Sequence, residues 1–277
     1  MIPFILSLGG QGGTPTPVDA DYDVFLVAGQ SNSGQQAQTT DPNAPSYLSA
    51  NTVPGVFSYN NTTIVSDYSL SDTGPNGNGW AYVGGASLDN RFTYKEVALY
   101  EIAQAEPNNK ILMCQVTNGA STLGLSQRDN GTWNVDFDNV VQPTPLLAQL
   151  LKDKYDSLVV YANTNNLTLK IRGMLWHQGE SGSPGADYQT ALESFFAYVR
   201  GFTNSPNLPI ISGTVPETST GYNAFIRTVM LNVASNDANI YYRDNNGLTF
   251  NDGTHFDAQS CVTFGNWVKD IVINNNL

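Results

Sequence analysis

A chain of 277 residues with 40% apolar composition can bury a large core, and an α/β fold of this length is commonly one domain. Twenty-four acidic residues against twelve basic ones, a formal charge of −12, repel nucleic acid and anionic membrane surfaces rather than recruit them. The sequence has no apolar run of about eighteen residues, no CxxC and no histidine-rich cluster, so it predicts no spanning helix and no metal.

Met1–Gly10 is apolar but lacks a basic n-region and a long apolar stretch, so it does not read as a signal peptide. Gln11–Pro17 has linker composition. Residues 1–20 are therefore expected to form an arm or linker, either a tether to an assembly or a frayed end, ahead of a domain spanning 21–277. Val24–Ala28 is an unbroken apolar run, the pattern of a short strand buried on both faces. Gly29-Gln30-Ser31-Asn32 follows where that strand leaves the sheet, and ligands of open parallel sheets sit at such carboxyl ends. Gly34–Gln38 is expected to open a helix whose N-terminal amides face the reacting atom. Residues 40–90 read as a long, turn-rich insertion in which only Val56–Tyr59 and Thr62–Val65 could pair as short strands. The aromatics of this insertion, Tyr59, Tyr68, Trp80 and Tyr82, either stack on sugar faces or anchor the loop to the core.

Phe92–Ala105 carries helical spacing with Pro107 just past its end. Lys110–Val116 is the next strand, and it runs into a second small-residue loop, Thr117–Thr122. Residues 125–139, with Arg128 and Trp133, read as a polar rim. Helices are then expected over Pro145–Asn163, Asp187–Gly201, Tyr222–Ala234 and Ala258–Ile273, alternating with strands Leu169–Trp176, Leu208–Val215 and Ile240–Tyr242. This alternation predicts an α/β fold, a three-layer α/β/α sandwich around a five-stranded parallel sheet. Cys114 falls in a strand and Cys261 in a helix, positions that suit buried, free thiols. Only 13% of residues are charged, while Asn, Thr, Ser and Gly fill the loops. That pattern leans toward an extracellular or virion-surface setting.

The chemistry concentrates in three short blocks. A serine hydroxyl is a poor nucleophile until a neighbouring base removes its proton. Asp252-Gly253-Thr254-His255 places a carboxylate three residues from an imidazole, which suits an Asp that orients a His which deprotonates Ser31. The bland alternative is a turn whose Asp caps the last helix. His177 reads either as a structural histidine or as a group touching substrate. Glu180 reads either as a buried support for the loops or as a second acid partner of His255.

Gly29-Gln30-Ser31-Asn32, Trp176-His177-Gln178-Gly179-Glu180-Ser181 and Asp252-Gly253-Thr254-His255-Phe256 together resemble, in order, the three motif blocks of the sialate O-acetylesterase and acetylxylan esterase branch of the SGNH hydrolases. The resemblance spans roughly residues 22 to 273 and implies a flavodoxin-like fold. It also implies a serine esterase that removes O-acetyl groups from a carbohydrate (sialic acid, xylan or a bacterial surface polysaccharide) through an acetyl-serine, without metal or cofactor. It places the oxyanion hole at the amides of Ser31 and Gly119 and the side chain of Gln178, although Asn118 and Ala120 stand where the family usually has Gly and Thr. Gln30, Asn32, His177, Glu180 and Arg128 fall in supporting or substrate-binding positions. A sialic acid carboxylate would need a cation, for which Arg91, Arg128, Arg172 and Arg243 are candidates. The competing function is a catalytically silent glycan-binding or virion module of the same fold.

Overall fold

The computed structural model describes residues 20–34, 36–70, 90–126, 129–181 and 187–277. Its elements in chain order are β1 (Tyr22–Gly29), β2 (Ala37–Gln38), β3 (Thr52–Val53), β4 (Val56–Tyr59), β5 (Ile64–Val65), β6 (Tyr68–Ser69), β7 (Arg91–Phe92), α1 (Tyr94–Ala105), β8 (Ile111–Thr117), α2 (Leu147–Thr164), β9 (Leu169–His177), α3 (Tyr188–Phe202), β10 (Ile210–Gly213), α4 (Ala224–Asn236), β11 (Ile240–Arg243) and α5 (Ala258–Asn274). The central sheet runs β11-β10-β9-β1-β8-β4-β5.

Successive side chains of a strand point to opposite faces, and β1 shows why its apolar run is unbroken. Val24, Leu26 and Ala28 pack with α2, α3 and α4, whereas Phe25 and Val27 pack with α1 and α5. The result is three layers, with both sheet faces covered. The chain goes from β1 to β8 on one side and then crosses to β9 on the other. The strand order therefore reverses at β1, which places the crevice of an open α/β sheet at its carboxyl end.

Two expectations of secondary structure change. The sheet has seven strands rather than five, because part of the expected insertion joins it: β4 pairs in parallel with β8, and β5 returns antiparallel to β4. Val56, Ser58 and Tyr59 are buried there, and the Tyr59 hydroxyl lies 2.7 Å from Ser157 Oγ, so Tyr59 is a core anchor. The Tyr68 side chain, Trp80 and Tyr82 lie outside what is described, as does the arm at residues 1–19. The helix expected at Gly34–Gln38 is also replaced. Ser31–Ser33 forms a single 3-10 turn, closed by Ser33 N and Gly34 N donating to Gln30 O at 2.8 and 3.0 Å. The chain then runs extended, because Ala37 and Gln38 pair with Phe92 and Arg91.

Trp133 is a core residue rather than part of a rim. It is fully buried, packs edge-on against Trp176 at 5.3 Å, and donates from Nε1 to Ser121 Oγ at 3.0 Å. Cys114 and Cys261 are free and buried. Burial pushes the Cys114 thiol up to about 11 and the Cys261 thiol well above its ordinary value. Among the described residues no helix is long and apolar enough to cross a membrane, and no group of three or more His, Cys, Asp or Glu could hold a metal ion.

Arg172 stands near the amino-terminal end of β9, away from the carboxyl-end crevice. Its guanidinium pairs with Asp23 and with Glu106, the latter at 2.8 Å, and its Nε donates to the Leu277 carbonyl. It is a structural ion pair and not a substrate cation. Removing one partner of a buried pair leaves the other charge uncompensated. Arg172→Ala is therefore expected to cost about 3 to 5 kcal/mol, measured as a lowered urea midpoint at neutral pH.

Candidate active site

Three loops leave the sheet side by side. Gly29, the last residue of β1, is in register with Thr117 of β8 and with His177 of β9. The turns that carry Ser31, Gly119 and Gln178 therefore start from one level. Gly29 has φ +133°, and a Cβ there would lie 2.2 Å from the His177 carbonyl oxygen. Only glycine allows the β1 turn to press this closely on β9. Backbone bonds lock the join: Gln30 N donates to His177 O at 3.0 Å and Asn118 N to Gly29 O at 3.1 Å.

The fourth loop, between β11 and α5, brings the imidazole. His255 Nε2 lies 3.0 Å from Ser31 Oγ, and His255 Nδ1 lies 2.7 Å from Asp252 Oδ2. The other carboxylate oxygen of Asp252 accepts from Thr254 N at 3.1 Å and His255 N at 2.9 Å. Burial opposes ionisation of Asp252, but its bonds with the His255 ring and with the two amides prevail and hold it below the ordinary aspartate value. Asn32 clasps this loop to the serine turn. Its Oδ1 accepts from Phe256 N at 3.0 Å and its Nδ2 donates to Thr254 O at 3.0 Å, so it grips the chain on both sides of His255.

Beneath lies Glu180, with a side chain only 2% exposed. It accepts from Gln30 Nε2 at 2.5 Å, Asn32 Nδ2 at 2.6 Å and His177 Nε2 at 2.8 Å. Burial works against its ionisation, yet His177 and the Asn32 amide outweigh that and lower its pKa below the ordinary 4.5. His255 is engaged by Asp252 instead, so the geometry favours Glu180 as a support of the loops. His177 is fully buried among the rings of Tyr94, Phe256 and Phe264, which puts it under the site rather than against a ligand.

Gln178 is fully buried and oriented at both ends: Nε2 donates to Ser121 O at 3.1 Å and Oε1 accepts from Tyr188 OH at 2.6 Å. A carboxamide has two N–H donors, so one remains beyond the bond to Ser121. Gly119 is buried in the turn after β8, ahead of Ala120, whose φ is +54°. Arg128 lies outside the described residues. Arg91, on β7, shares a pocket with Asp252 and His255. Arg243 ends β11, half-buried.

Sequence reasoning missed Tyr188, which nothing in the chain distinguishes from an ordinary core aromatic at a helix start. It also missed Lys95, a fully buried ammonium that donates to the Gly34 carbonyl and pairs with Glu96, and so braces the serine turn from α1. The Thr93-x-x-Glu96 capping box of that helix was a readable signal for the Glu, though not for the Lys.

Because the folded-state pKa of Glu180 is depressed, the unfolded chain binds more protons as pH falls toward and below 4.5. Its contribution to stability is thus present above that value and is lost as pH falls through the folded pKa. Urea unfolding between pH 3 and 6 should show a midpoint that drops with acid, and Glu180→Gln should flatten the drop. An unchanged slope in the variant would contradict the assignment.

Comparison with known proteins assigns the chain to a family. Residues 21–274 match the family model described as carbohydrate esterase, sialic acid-specific acetylesterase. No curated protein sequence matches the chain. Among solved structures, a protein of Arabidopsis thaliana superposes with a TM-score of 0.64 at 14% identity, over 92% of this chain and 99% of that one. NanS superposes with 0.55 at 16% identity, over 94% and 99%. A carbohydrate acetylesterase from Xanthomonas citri superposes with 0.53 at 15% identity, over 90% of this chain and 55% of that one. At such identities these likenesses are of fold. The family match runs from the start of β1 through α5, across all three polar blocks, and the chain belongs to the sialic acid-specific acetylesterase family of carbohydrate esterases.

Proposed function

We propose that the chain is a serine esterase that removes O-acetyl groups from a carbohydrate through an acetyl-serine intermediate. The observation that carries this reading is the alignment of Ser31 Oγ, the His255 ring and the Asp252 carboxylate, at 3.0 and 2.7 Å. Membership of a carbohydrate esterase family supports the same reaction class.

In the first step Ser31 Oγ attacks the acetyl carbonyl carbon as His255 Nε2 takes its proton, and Asp252 stabilises the imidazolium. The carbonyl oxygen becomes an oxyanion, for which the Ser31 and Gly119 amides and the remaining N–H of Gln178 are the donors. Losing one such donor typically costs about 3 to 4 kcal/mol of transition-state stabilisation. The carbon–oxygen bond to the sugar then breaks, and the proton on His255 passes to the departing sugar oxygen. In the second step a water attacks the acetyl-serine with His255 again as base, releasing acetate and restoring Ser31. None of these steps requires a metal or cofactor. Gln30, Asn32, His177 and Glu180 act by holding the loops. The acetylated substrate would be sialic acid, xylan or a bacterial surface polysaccharide, and polar loops with few charges suit an extracellular setting.

Hydrolysis of p-nitrophenyl acetate at neutral pH tests the reading. Wild type is expected to turn it over, Ser31→Ala to lose the activity, and Asp252→Asn to fall by about 10⁴-fold in kcat with its fold intact. A purified wild type that leaves acetyl esters untouched would end the proposal.

A further inference from the structure

The direction of proton return fixes where the sugar leaves. His255 Nε2 gives its proton to the departing oxygen, so the alcohol half of the ester must sit on the imidazole side of Ser31, away from the oxyanion donors. Next to the imidazole that returns this proton, His255 and Asp252 form part of the wall of an open pocket of about 410 Å³. The rest of the wall comes from the β2–β7 ribbon and its flanks, with Gln36, Gln38 and Arg91, and from Asn251 in the histidine loop.

The described lining is made of amide, hydroxyl, guanidinium, carboxylate and imidazole groups, with no Phe, Tyr or Trp among the described residues. It can hold a ring of hydroxyls by hydrogen bonds, and it offers little to a long apolar alcohol. Gln38 uses its carboxamide oxygen to accept from Thr40 Oγ1 at 3.3 Å, while its two N–H donors point to no described partner. Among the described residues of the wall, Arg91 is the single cation and faces two carboxylates, Asp41 and Asp252. The described part of the wall therefore has no surplus of positive charge, on a chain whose formal charge is −12. A carboxylated sugar would meet net repulsion there, and a neutral one would not.

We propose that this pocket is the subsite for the sugar that leaves, and that this sugar is uncharged, with Gln38 and Arg91 as its specificity-determining contacts. The proposal rests on the esterase reading above, and its test separates the two. For wild type, Gln38→Ala and Arg91→Gln, kcat/KM would be measured on an O-acetylated neutral methyl glycoside, on an O-acetylated sialic acid and on p-nitrophenyl acetate, whose alcohol is aromatic and lacks sugar hydroxyls. Gln38 is exposed on a two-residue strand, so its truncation leaves the fold intact, and turnover of the nitrophenyl ester reports an assembled triad. In each variant the ratio of neutral-sugar to nitrophenyl kcat/KM should fall about tenfold, the scale of one or two hydrogen bonds, with the change carried by KM. Wild type should prefer the neutral sugar over the sialic acid by at least about fivefold. Ratios unchanged in both variants would put the leaving sugar elsewhere and overturn the subsite. A wild type that favours the carboxylated sugar would overturn the charge assignment. Failure of wild type on all three esters would refute the esterase reading itself and this proposal with it.

Discussion

The carboxylate of Glu180 lies out of water, and an ion there is tolerable only because three donors converge on it. Those donors, Gln30, Asn32 and His177, come from the turns after β1 and at the end of β9. Neither turn can move away without leaving a buried charge short of a partner. Asn32 carries the constraint onward, since its Nδ2 also donates to Thr254 O and its Oδ1 accepts from Phe256 N, on either side of His255. One desolvated oxygen pair thus sets the relative position of three loops that are far apart in sequence.

The triad sits above this base in a different regime. The side chains of His255 and Asp252 are 24% and 57% exposed, so their mutual attraction is screened by solvent and would not by itself hold a geometry. Their placement is inherited from backbone: amides of Thr254 and His255 on Asp252, the Asn32 clasp, and Thr220 N donating to Gly253 O at 2.8 Å. Rigid support below and solvent access above is a workable division, because a substrate and a water must reach the imidazole while the serine turn stays fixed.

Much of this was legible in the chain. Val24–Ala28 reads as a strand buried on both faces, and the predominantly polar, glycine-containing blocks at 29–32, 176–181 and 252–256 read as a site or as turns. What was hidden has physical causes. Gln35–Gln38 has good helix formers, but pairing of Ala37 and Gln38 with β7 overrides that preference. Val56–Tyr59 is too short for its pattern to separate a loop ornament from a sheet extension, and its parallel pairing with β8 is a long-range fact. Trp133 stands among polar neighbours, so local sequence suggested a rim, whereas the space against Trp176 and Phe195 is supplied by distant elements. Likewise Asn32 announces itself as polar, but its partners lie 222 and 224 residues away.

The two thiols carry a final consequence. Electrophiles and disulfide exchange act on the thiolate, and burial keeps both Cys114 and Cys261 in the protonated form, far from each other's reach as free groups on opposite faces of the sheet. The fold owes nothing to a covalent cross-link and exposes no sulfur to one. In the native state neither thiol is placed to exchange with a disulfide in the surrounding solution.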